Sequence, residues 1–252
     1  MIIVRRSGER RHIENKDQNT WMTFDRENKN DLLKNGFGSL ILLNEEILSR
    51  DRALLFRPLH DLVIVTYVQK GVVVYHGPLG GSDLLEAGDF HRINVAPGAA
   101  QHEFDSIMSG DARIFQSGFT PGTEAAESKG KKIFIAHADR HGIFKLIASP
   151  DGREDSLPIQ RDVHMFSSFI HQGNHISHPL KHGRSVWLHV VIGRIQVKNF
   201  VLQTGDGAGF TGENSVSLTA QEPCEVLLYD LPESVVKENI TERQKEAVYS
   251  QS

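Results

Sequence analysis

The chain has 252 residues, of which 39% are hydrophobic and 24% charged, and its formal net charge is −4. These values suit a globular protein of one large or two small domains, and they offer no basic field for a phosphate backbone, which argues against direct nucleic-acid binding. Cys224 is the single cysteine, which excludes an internal disulfide, a thiolate zinc site and an iron–sulfur centre, and favours a reducing compartment.

We expect no targeting signal at the beginning of the chain. Its apolar run, residues 2–4, ends at Arg5 and is too short for the hydrophobic part of a signal peptide. No later stretch approaches the roughly 20 apolar residues of a membrane span. We therefore expect a cytoplasmic protein without a membrane partner.

Short apolar runs separated by turn residues predict a mostly β chain. Turns interrupt these runs about every 8–12 residues, which is typical of β-barrels and sandwiches. After Pro232, the glycine-free stretch 233–248 fits either a short exposed helix or a frayed tail. The predicted strands are residues 39–43, 62–68, 72–76, 90–95, 113–119, 144–148, 164–170, 186–192, 194–200, 215–219 and 224–231.

A weak internal repeat indicates two similar β units. Residues 67–74 run from one predicted strand through a glycine into a second strand, and residues 190–197 do the same. Each half then reaches a Gly-Asp turn, at Gly88 and at Gly205. We place the first unit at residues 1–130 and the second at 131–252, because the polar stretch 120–132 has the composition of a surface connection.

Several segments, in order along the chain, are those of one known family. They are GSL from residue 38, LNEE from 43, HDLVIVTYV from 60, EAGD from 86, EF from 103, LIASPDG from 146 and VLLYDLP from 226. With these segments the chain resembles the pirin-like bicupins over nearly its whole length to Pro232. The resemblance implies an all-β fold of two cupin (jelly-roll) barrels that face each other.

The resemblance also implies a single metal in the N-terminal barrel. In the catalytic members, which resemble quercetin 2,3-dioxygenases, three histidines and a glutamate hold this metal, as His-x-His before a Thr-Tyr-Val strand and as His-x-Glu. Transferred to this sequence, the four positions are Arg57, Leu59, Gln101 and Glu103. A guanidinium and an aliphatic side chain have no lone pair to donate, so half of the site cannot coordinate a metal.

The altered positions suggest a vestigial pocket rather than a metal site. Glu103 alone in a barrel interior would carry a costly unpaired charge. Our hypothesis is an ion pair between Arg57 and Glu103, with Gln101 satisfying the remaining hydrogen bonds. In the alternative, Arg57 extends to the barrel mouth and Glu103 meets water.

Two histidines next to the altered positions could repair the site. His60 follows Leu59, and His102 precedes Glu103. Side chains alternate across a strand, so if Leu59 and Glu103 face the interior, His60 and His102 face away from it. A β-bulge would be needed to reverse this arrangement.

Three other groups of residues invite a functional interpretation. The histidine-rich run 175–182 contains Pro179 and is better interpreted as a solvated loop or an edge strand. His137 and His141, with an aspartate between them, lack the turn that presents a nucleophile and are interpreted as linker polar residues. Cys224 begins an apolar run and is expected to be a small buried hydrophobic residue.

The sequence therefore predicts a pirin-like bicupin that needs no cofactor, lacks dioxygenase activity and binds a small organic molecule or a protein partner. Arg57 near the mouth would suit a small organic anion. The alternative is a metal-dependent oxidoreductase of the quercetin 2,3-dioxygenase type, with one iron, nickel or copper ion held by Glu103 and His60 or His102. A third possibility is a pure interaction protein, since the relatives of pirin include nuclear and transcription-linked members.

Overall fold

The computed structural model describes residues 1–15, 19–49, 53–56, 61–78, 80–95, 101–107, 110–120 and 130–233. In this part of the chain, strands dominate and the only helices of three or more residues are three short 3-10 turns, Ser7–Glu9, His137–Arg140 and Arg153–Asp155. None of the described helices has the length and apolar character to cross a membrane. The predicted all-β class is confirmed.

The strands are numbered in chain order. The first half contains β1 Ile2–Arg5, β2 Arg11–Glu14, β3 Asn19–Met22, β4 Leu40–Leu48, β5 Ala53–Phe56, β6 Leu62–Lys70, β7 Val72–His76, β8 Ser82–Glu86, β9 Asp89–Val95, β10 His102–Ser106 and β11 Ala112–Phe119. The second half contains β12 Lys131–Phe134, β13 Lys145–Ser149, β14 Leu157–Pro158, β15 His164–Ile170, β16 His175–Pro179, β17 Arg184–Ile192, β18 Arg194–Val197, β19 Phe200–Gln203, β20 Gly207–Thr211, β21 Ser215–Ala220 and β22 Cys224–Pro232.

The chain forms two compact units that interleave in sequence. One, here called the N-terminal unit, consists of Arg11–Met22 and Leu42–Ala136. The other, the C-terminal unit, combines Met1–Arg10 and Thr23–Ile41 with the chain from His137 onward. The boundary expected between residues 130 and 131 stays a prediction, because residues 121–129 of that connection lie outside the described part of the chain.

Each unit is built from one seven-stranded and one four-stranded sheet. In the N-terminal unit the strand orders are β12-β9-β6-β11-β4-β3-β2 and β5-β10-β7-β8. In the C-terminal unit they are β1-β20-β17-β22-β15-β13-β14 and β16-β21-β18-β19. The two lists correspond strand for strand from β4 to β11 and from β15 to β22, so each unit is a cupin-type jelly roll of two open sheets.

The glycines of the predicted repeat occupy equivalent turns in the two units. Gly71 connects β6 to β7 with a φ of +85°, and Gly193 connects β17 to β18 with a φ of +91°. A Cβ atom would lie 2.8 Å from the Cα of Ala112 at the first position and 2.4 Å from the carbonyl oxygen of Pro223 at the second. Both turns therefore require glycine for the same two reasons, and the predicted repeat is confirmed.

Most of the predicted strands are present with small changes at their ends. Residues 72–76 and 164–170 have the predicted bounds, while the predicted strand 194–200 is divided into β18 and β19. The histidine-rich run contains β16, an edge strand of its sheet as expected. It is not fully solvated, because His178 is buried and its Nε2 lies 3.0 Å from Oδ2 of Asp230. The tail predicted as a helix or frayed segment lies outside the described residues from 234 onward.

The interior of the C-terminal unit is apolar. Its buried cluster draws side chains from strands of both sheets of this unit, and none of the cluster residues carries a charge. Burial of aliphatic and aromatic side chains contributes about 25 cal/mol per Å² of apolar surface, so this cluster is a main source of the unit's stability. Its members include Val186, Leu188, Val197, Ala208, Phe210, Val216, Leu218 and Leu228.

Candidate functional site

The vestigial metal positions are only partly within the described residues. Arg57, Leu59 and His60 lie outside them, so the proposed ion pair between Arg57 and Glu103 stays a prediction. Gln101 is half-buried and immediately precedes β10, and Glu103 is on that strand.

The faces of β10 are the reverse of our expectation. His102 and Phe104 are buried, at 2% and 0% exposure, whereas Glu103 is only half-buried. Glu103 lies opposite Leu55 on one side and His76 on the other, both of which are exposed. Because side chains opposite one another share a face of the sheet, Glu103 is on the outer face and His102 on the inner one.

This arrangement does not fit the metal that the fold family implies. The one carboxylate retained at the four positions points away from the interior, and Arg57 and Leu59 offer no lone pair in any conformation. Among the described residues, no group of three or more histidine, cysteine, aspartate or glutamate side chains could hold a metal ion. The four positions therefore do not fit a metal, because Arg57 and Leu59 lack donor atoms and Glu103 points away from the interior.

A row of polar side chains instead crosses the inner face of the seven-stranded sheet of the N-terminal unit. Thr66 on β6 lies opposite His91 on β9 and opposite Gln116 on β11, so the three share one face. All three are 0–1% exposed. His91 contacts the ring of Tyr75 from the four-stranded sheet, with centroids 4.9 Å apart, which shows that the row lies between the two sheets.

Polar atoms of this row have no hydrogen-bond partner among the described residues. They are Oγ1 of Thr66, Nε2 of Gln116 and both ring nitrogens of His91. Nε2 of His91 also lies 3.2 Å from Oδ2 of Asp83, whose side chain is 47% exposed, and this contact is an ion pair only when the imidazole is protonated. An unsatisfied buried polar group costs roughly 1–3 kcal/mol, so the row requires water or a ligand to complete it.

Tyr75 and His102 complete the polar lining from the four-stranded sheet. The hydroxyl of Tyr75 lies 2.7 Å from Nδ1 of His102. Burial, assisted by the carboxylate of Asp83, raises the pKa of Tyr75 to about 12, so the phenol keeps its proton at neutral pH. Burial lowers the pKa of His102, which favours a neutral imidazole that can accept a hydrogen bond from the phenol at Nδ1.

His91 is held neutral by its surroundings. Burial lowers its pKa and outweighs the carboxylate of Asp83, which acts in the opposite direction. Gly130 lies directly behind the ring, and a Cβ atom there would be 2.5 Å from Nε2. A neutral imidazole has one donor and one acceptor nitrogen, so His91 can recognise a hydroxyl group in either role.

The equivalent positions in the C-terminal unit are all aliphatic. Thr66 and Leu188 each lie five residues before the glycine of their turn, Gly71 or Gly193, so β6 is matched with β17. The residues paired with Thr66 are then matched with those paired with Leu188, and the other strands follow in the same way. Every aliphatic partner belongs to the buried apolar cluster of its unit. The matching positions are Thr66 with Leu188, His91 with Ala208, Gln116 with Leu228, Tyr75 with Val197, and His102 with Val216.

Sequence reasoning missed Thr66, His91, Gln116 and Tyr75, although all four lie inside correctly predicted strands. The signal was present in the repeat, because alignment of the two glycine turns places a threonine opposite a leucine at matching positions. The pairing of β9 and β11 with β6 could not be read in the same way, since it depends on sheet topology.

Two other expectations concern the C-terminal unit. Cys224 is 4% exposed, and burial, with the carboxylates of Glu222 and Glu225, raises the pKa of its thiol to about 12, so its assignment as a buried hydrophobic residue is confirmed. The interpretation of His137 and His141 as linker polar residues stays a prediction; the two residues lie at the start of the last segment of this unit, and their rings are in contact and line a pocket.

Comparisons with known proteins agree with the fold. The family model described as the quercetinase C-terminal cupin domain matches residues 146–231. A quercetin 2,3-dioxygenase of Escherichia coli strain K12 is 27% identical over 239 residues, which cover 92% of this chain and 99% of the relative. A pirin-like protein of Caulobacter vibrioides is 29% identical over 196 residues, which cover 77% of this chain and 84% of the relative.

Solved structures show the same similarity. The crystal structure of the bacterial pirin YhhW from Escherichia coli, in complex with nickel(II), matches with a TM-score of 0.81 and 25% identity. The match covers 92% of this chain and 99% of that structure. YhaK from the same organism matches over 78% of this chain, with a TM-score of 0.70 and 24% identity.

Proposed function

Because the chain belongs to the pirin-like bicupins, we propose that it is a binding protein that takes up a small hydroxylated organic molecule inside its N-terminal unit. In this proposal the molecule is held without a metal, and the protein has no quercetin dioxygenase activity. The observation that carries the proposal is the polar row of Thr66, His91 and Gln116.

The polar row supports a ligand site because the fold does not need it. The C-terminal unit has the same strand pairing with leucine and alanine at the matching positions. A ligand hydroxyl can accept a hydrogen bond from Nε2 of Gln116 and can exchange a hydrogen bond with the hydroxyl of Thr66 or the imidazole of His91. A phenolic or enolic molecule provides these groups on an apolar body suited to the surrounding side chains.

The aromatic side chains beside the row favour a planar ligand. Tyr75 contacts both His91 and Phe104, with ring centroids 4.9 and 5.0 Å apart. Stacked and edge-on aromatic contacts contribute about 0.5–1.5 kcal/mol beyond the area that they bury. The anion that the sequence predicted would depend on Arg57, so the charge of the ligand stays a prediction.

A metal-dependent quercetin 2,3-dioxygenase is the second candidate. The name of the Escherichia coli relative supports it, and so does the inward direction of His102, which sequence reasoning had placed on the outer face. His102 and His91 are two inward imidazoles, but Glu103 lies on the opposite face of β10. A first-row metal in an enzyme site generally needs at least three protein ligands, which this set does not provide.

Two measurements on the full chain distinguish the candidates. We expect less than about one tenth of an equivalent of iron, nickel or copper after incubation with each ion and gel filtration, and no oxygen uptake with quercetin. Near-stoichiometric metal together with oxygen uptake would establish the enzyme instead.

Binding is tested with catechol and resorcinol as probes, by saturation-transfer NMR. We expect both to bind the wild type and to lose at least tenfold in affinity in the double variant T66V/Q116L. The control S217A removes a hydroxyl from the exposed face of β21 and should bind as the wild type does. Equal binding by the double variant and the wild type would show that the polar row does not hold the ligand.

A further inference from the structure

The C-terminal unit contains a pocket that the proposed function does not use. It has a volume of about 240 Å³ and opens between the turn His137–Arg140 and the ends of β15, β17 and β22. Three imidazoles line one side, from His137, His141 and His171. Apolar side chains, among them Phe169 and Ile192, line most of the rest, together with Glu225.

The three imidazoles form one continuous group. Nε2 of His141, which directly follows the 3-10 turn His137–Arg140, lies 2.8 Å from Nδ1 of His137. The ring of His171 stacks on His141, with centroids 4.6 Å apart and an interplanar angle of 22°. Nδ1 of His141 is buried and has no hydrogen-bond partner among the described residues.

The pocket floor is held by a buried ion pair. Nη1 of Arg140 lies 3.2 Å from Oε1 of Glu225, and their side chains are 2% and 1% exposed. The guanidinium also lies over the ring of Phe169, 4.5 Å from its centroid. These two charges therefore neutralise each other and fix the aromatic wall of the pocket.

The surroundings shift the pKa of one histidine and of the thiol in this pocket. Burial, with the carboxylates of Glu222 and Glu225, raises the pKa of Cys224 to about 12, so its thiol stays neutral. Burial lowers the pKa of His137, and the neighbouring His141, Arg140 and His171 lower it further. The free pocket thus favours a neutral His137, and an anion bound beside it would raise its pKa again.

From this geometry we infer that the histidine pocket binds a small aromatic carboxylate. The ring packs against Phe169 and Ile192, and the carboxylate accepts hydrogen bonds from the imidazole N–H groups. The volume lies below the roughly 300–1,000 Å³ of sites for drug-sized ligands, which limits the occupant to one or two rings. Binding is accompanied by proton uptake, so affinity falls as the pH rises through the histidine range.

A metal ion is the less suitable occupant. The nearly parallel rings of His141 and His171 place their nitrogens side by side, so they do not converge on one point. Among the described residues, no group of three or more histidine, cysteine, aspartate or glutamate side chains is arranged to hold a metal ion, and this includes the three imidazoles of the pocket. This site and the N-terminal polar row belong to different units, so each can fail without the other.

Benzoate is the probe that tests the inference, by isothermal titration of the full chain at pH 6 and pH 8. We expect binding at pH 6, at least tenfold weaker binding at pH 8, and tenfold or greater loss at pH 6 in H141N and in H171N. Benzamide, which lacks the charge, should bind at least tenfold more weakly than benzoate. The variant T66V/Q116L should bind benzoate as the wild type does.

The matched control is H175N, which changes an exposed histidine on the edge strand β16. It should leave benzoate binding unchanged, and circular dichroism should show that all the variants are folded. The inference is overturned if H141N and H171N bind benzoate normally. It is also overturned if the wild type shows no binding at pH 6, or takes up Zn²⁺ through these histidines and ignores benzoate.

Discussion

The two units of this chain share a strand order and differ in what fills them. Between the sheets of the C-terminal unit lie leucine, valine, alanine and phenylalanine side chains. Between the sheets of the N-terminal unit, a threonine, a glutamine, two histidines and a tyrosine occupy matching positions. Since the apolar version folds with the same pairing, the polar residues are not required by the jelly roll.

This difference indicates where each unit can bind a small molecule. Buried polar groups that remain unsatisfied lower stability, and a row of them at positions where the C-terminal unit has aliphatic side chains is most simply explained by a ligand that satisfies them. The C-terminal unit has a closed apolar core and carries its histidines in a pocket at the ends of the strands. The duplicated fold therefore offers an interior site in one unit and a peripheral site in the other.

Removal of a buried charge from the C-terminal unit should have the largest effect. Its deepest ionic groups, Arg140 and Glu225, are paired, whereas the N-terminal polar row is not. R140M removes the guanidinium that faces the buried carboxylate of Glu225 and should lower the free energy of unfolding by about 3–5 kcal/mol in urea denaturation.

The double variant R140M/E225Q should recover most of that loss, because no charge remains buried. R153M, which breaks the exposed pair with Asp151, serves as the control and should show no measurable change. Equal stability of R140M and the wild type would mean that water solvates the carboxylate of Glu225, and that this part of the C-terminal unit is not dry.

Exchange of one matching position between the units should have opposite effects. L228Q introduces an unsatisfied amide into the apolar cluster and should cost roughly 3 kcal/mol of unfolding free energy. Q116L removes a donor that has no partner among the described residues and should raise the free energy by about 1 kcal/mol in the ligand-free protein. Guanidinium denaturation measures both, and a destabilised Q116L would contradict the difference between the interiors.

The two glycine turns should respond alike, because the units repeat the same hairpin. G71A and G193A each combine a positive φ with a Cβ contact under 3 Å, and each should lose at least about 2 kcal/mol. G173A has a φ of +81° but nothing within 4 Å, and should lose only about 1 kcal/mol. If thermal denaturation gives G173A the same loss of stability as G71A and G193A, then the positive φ alone determines the loss and the close Cβ contacts do not contribute.

A smaller effect should appear in the pH dependence of stability. Burial lowers the pKa of His91 and of His102 in the folded state, below the value near 6.5 of an unfolded histidine. The unfolded chain then binds more protons, so stability is fully present above about pH 6.5 and falls as the pH decreases through the folded values. H91Q should reduce that fall in Tm between pH 7 and pH 5, and an unchanged slope would show that His91 is protonated in the folded protein.

Much of the fold could be predicted from the sequence, and less of the site. The strands β7 and β15 were predicted with their bounds, because turn residues flank them and local pattern and tertiary burial agree there. The N-terminal strand β1 was missed, because its pairing with β20 joins residues about 200 positions apart and leaves no local signal. The inner and outer faces of β10 were assigned in reverse, because that assignment rested on the family's ligand positions rather than on the strand's own neighbours.

A crystal structure of the full chain soaked in nickel(II), with anomalous data, would examine the interior of the N-terminal unit itself. We predict density for water or an organic molecule in contact with Thr66, His91 and Gln116, and no anomalous peak between the sheets of that unit. A strong nickel peak beside His91 or His102, or a dry interior in which the polar side chains bond only to one another, would contradict the proposed metal-free ligand site.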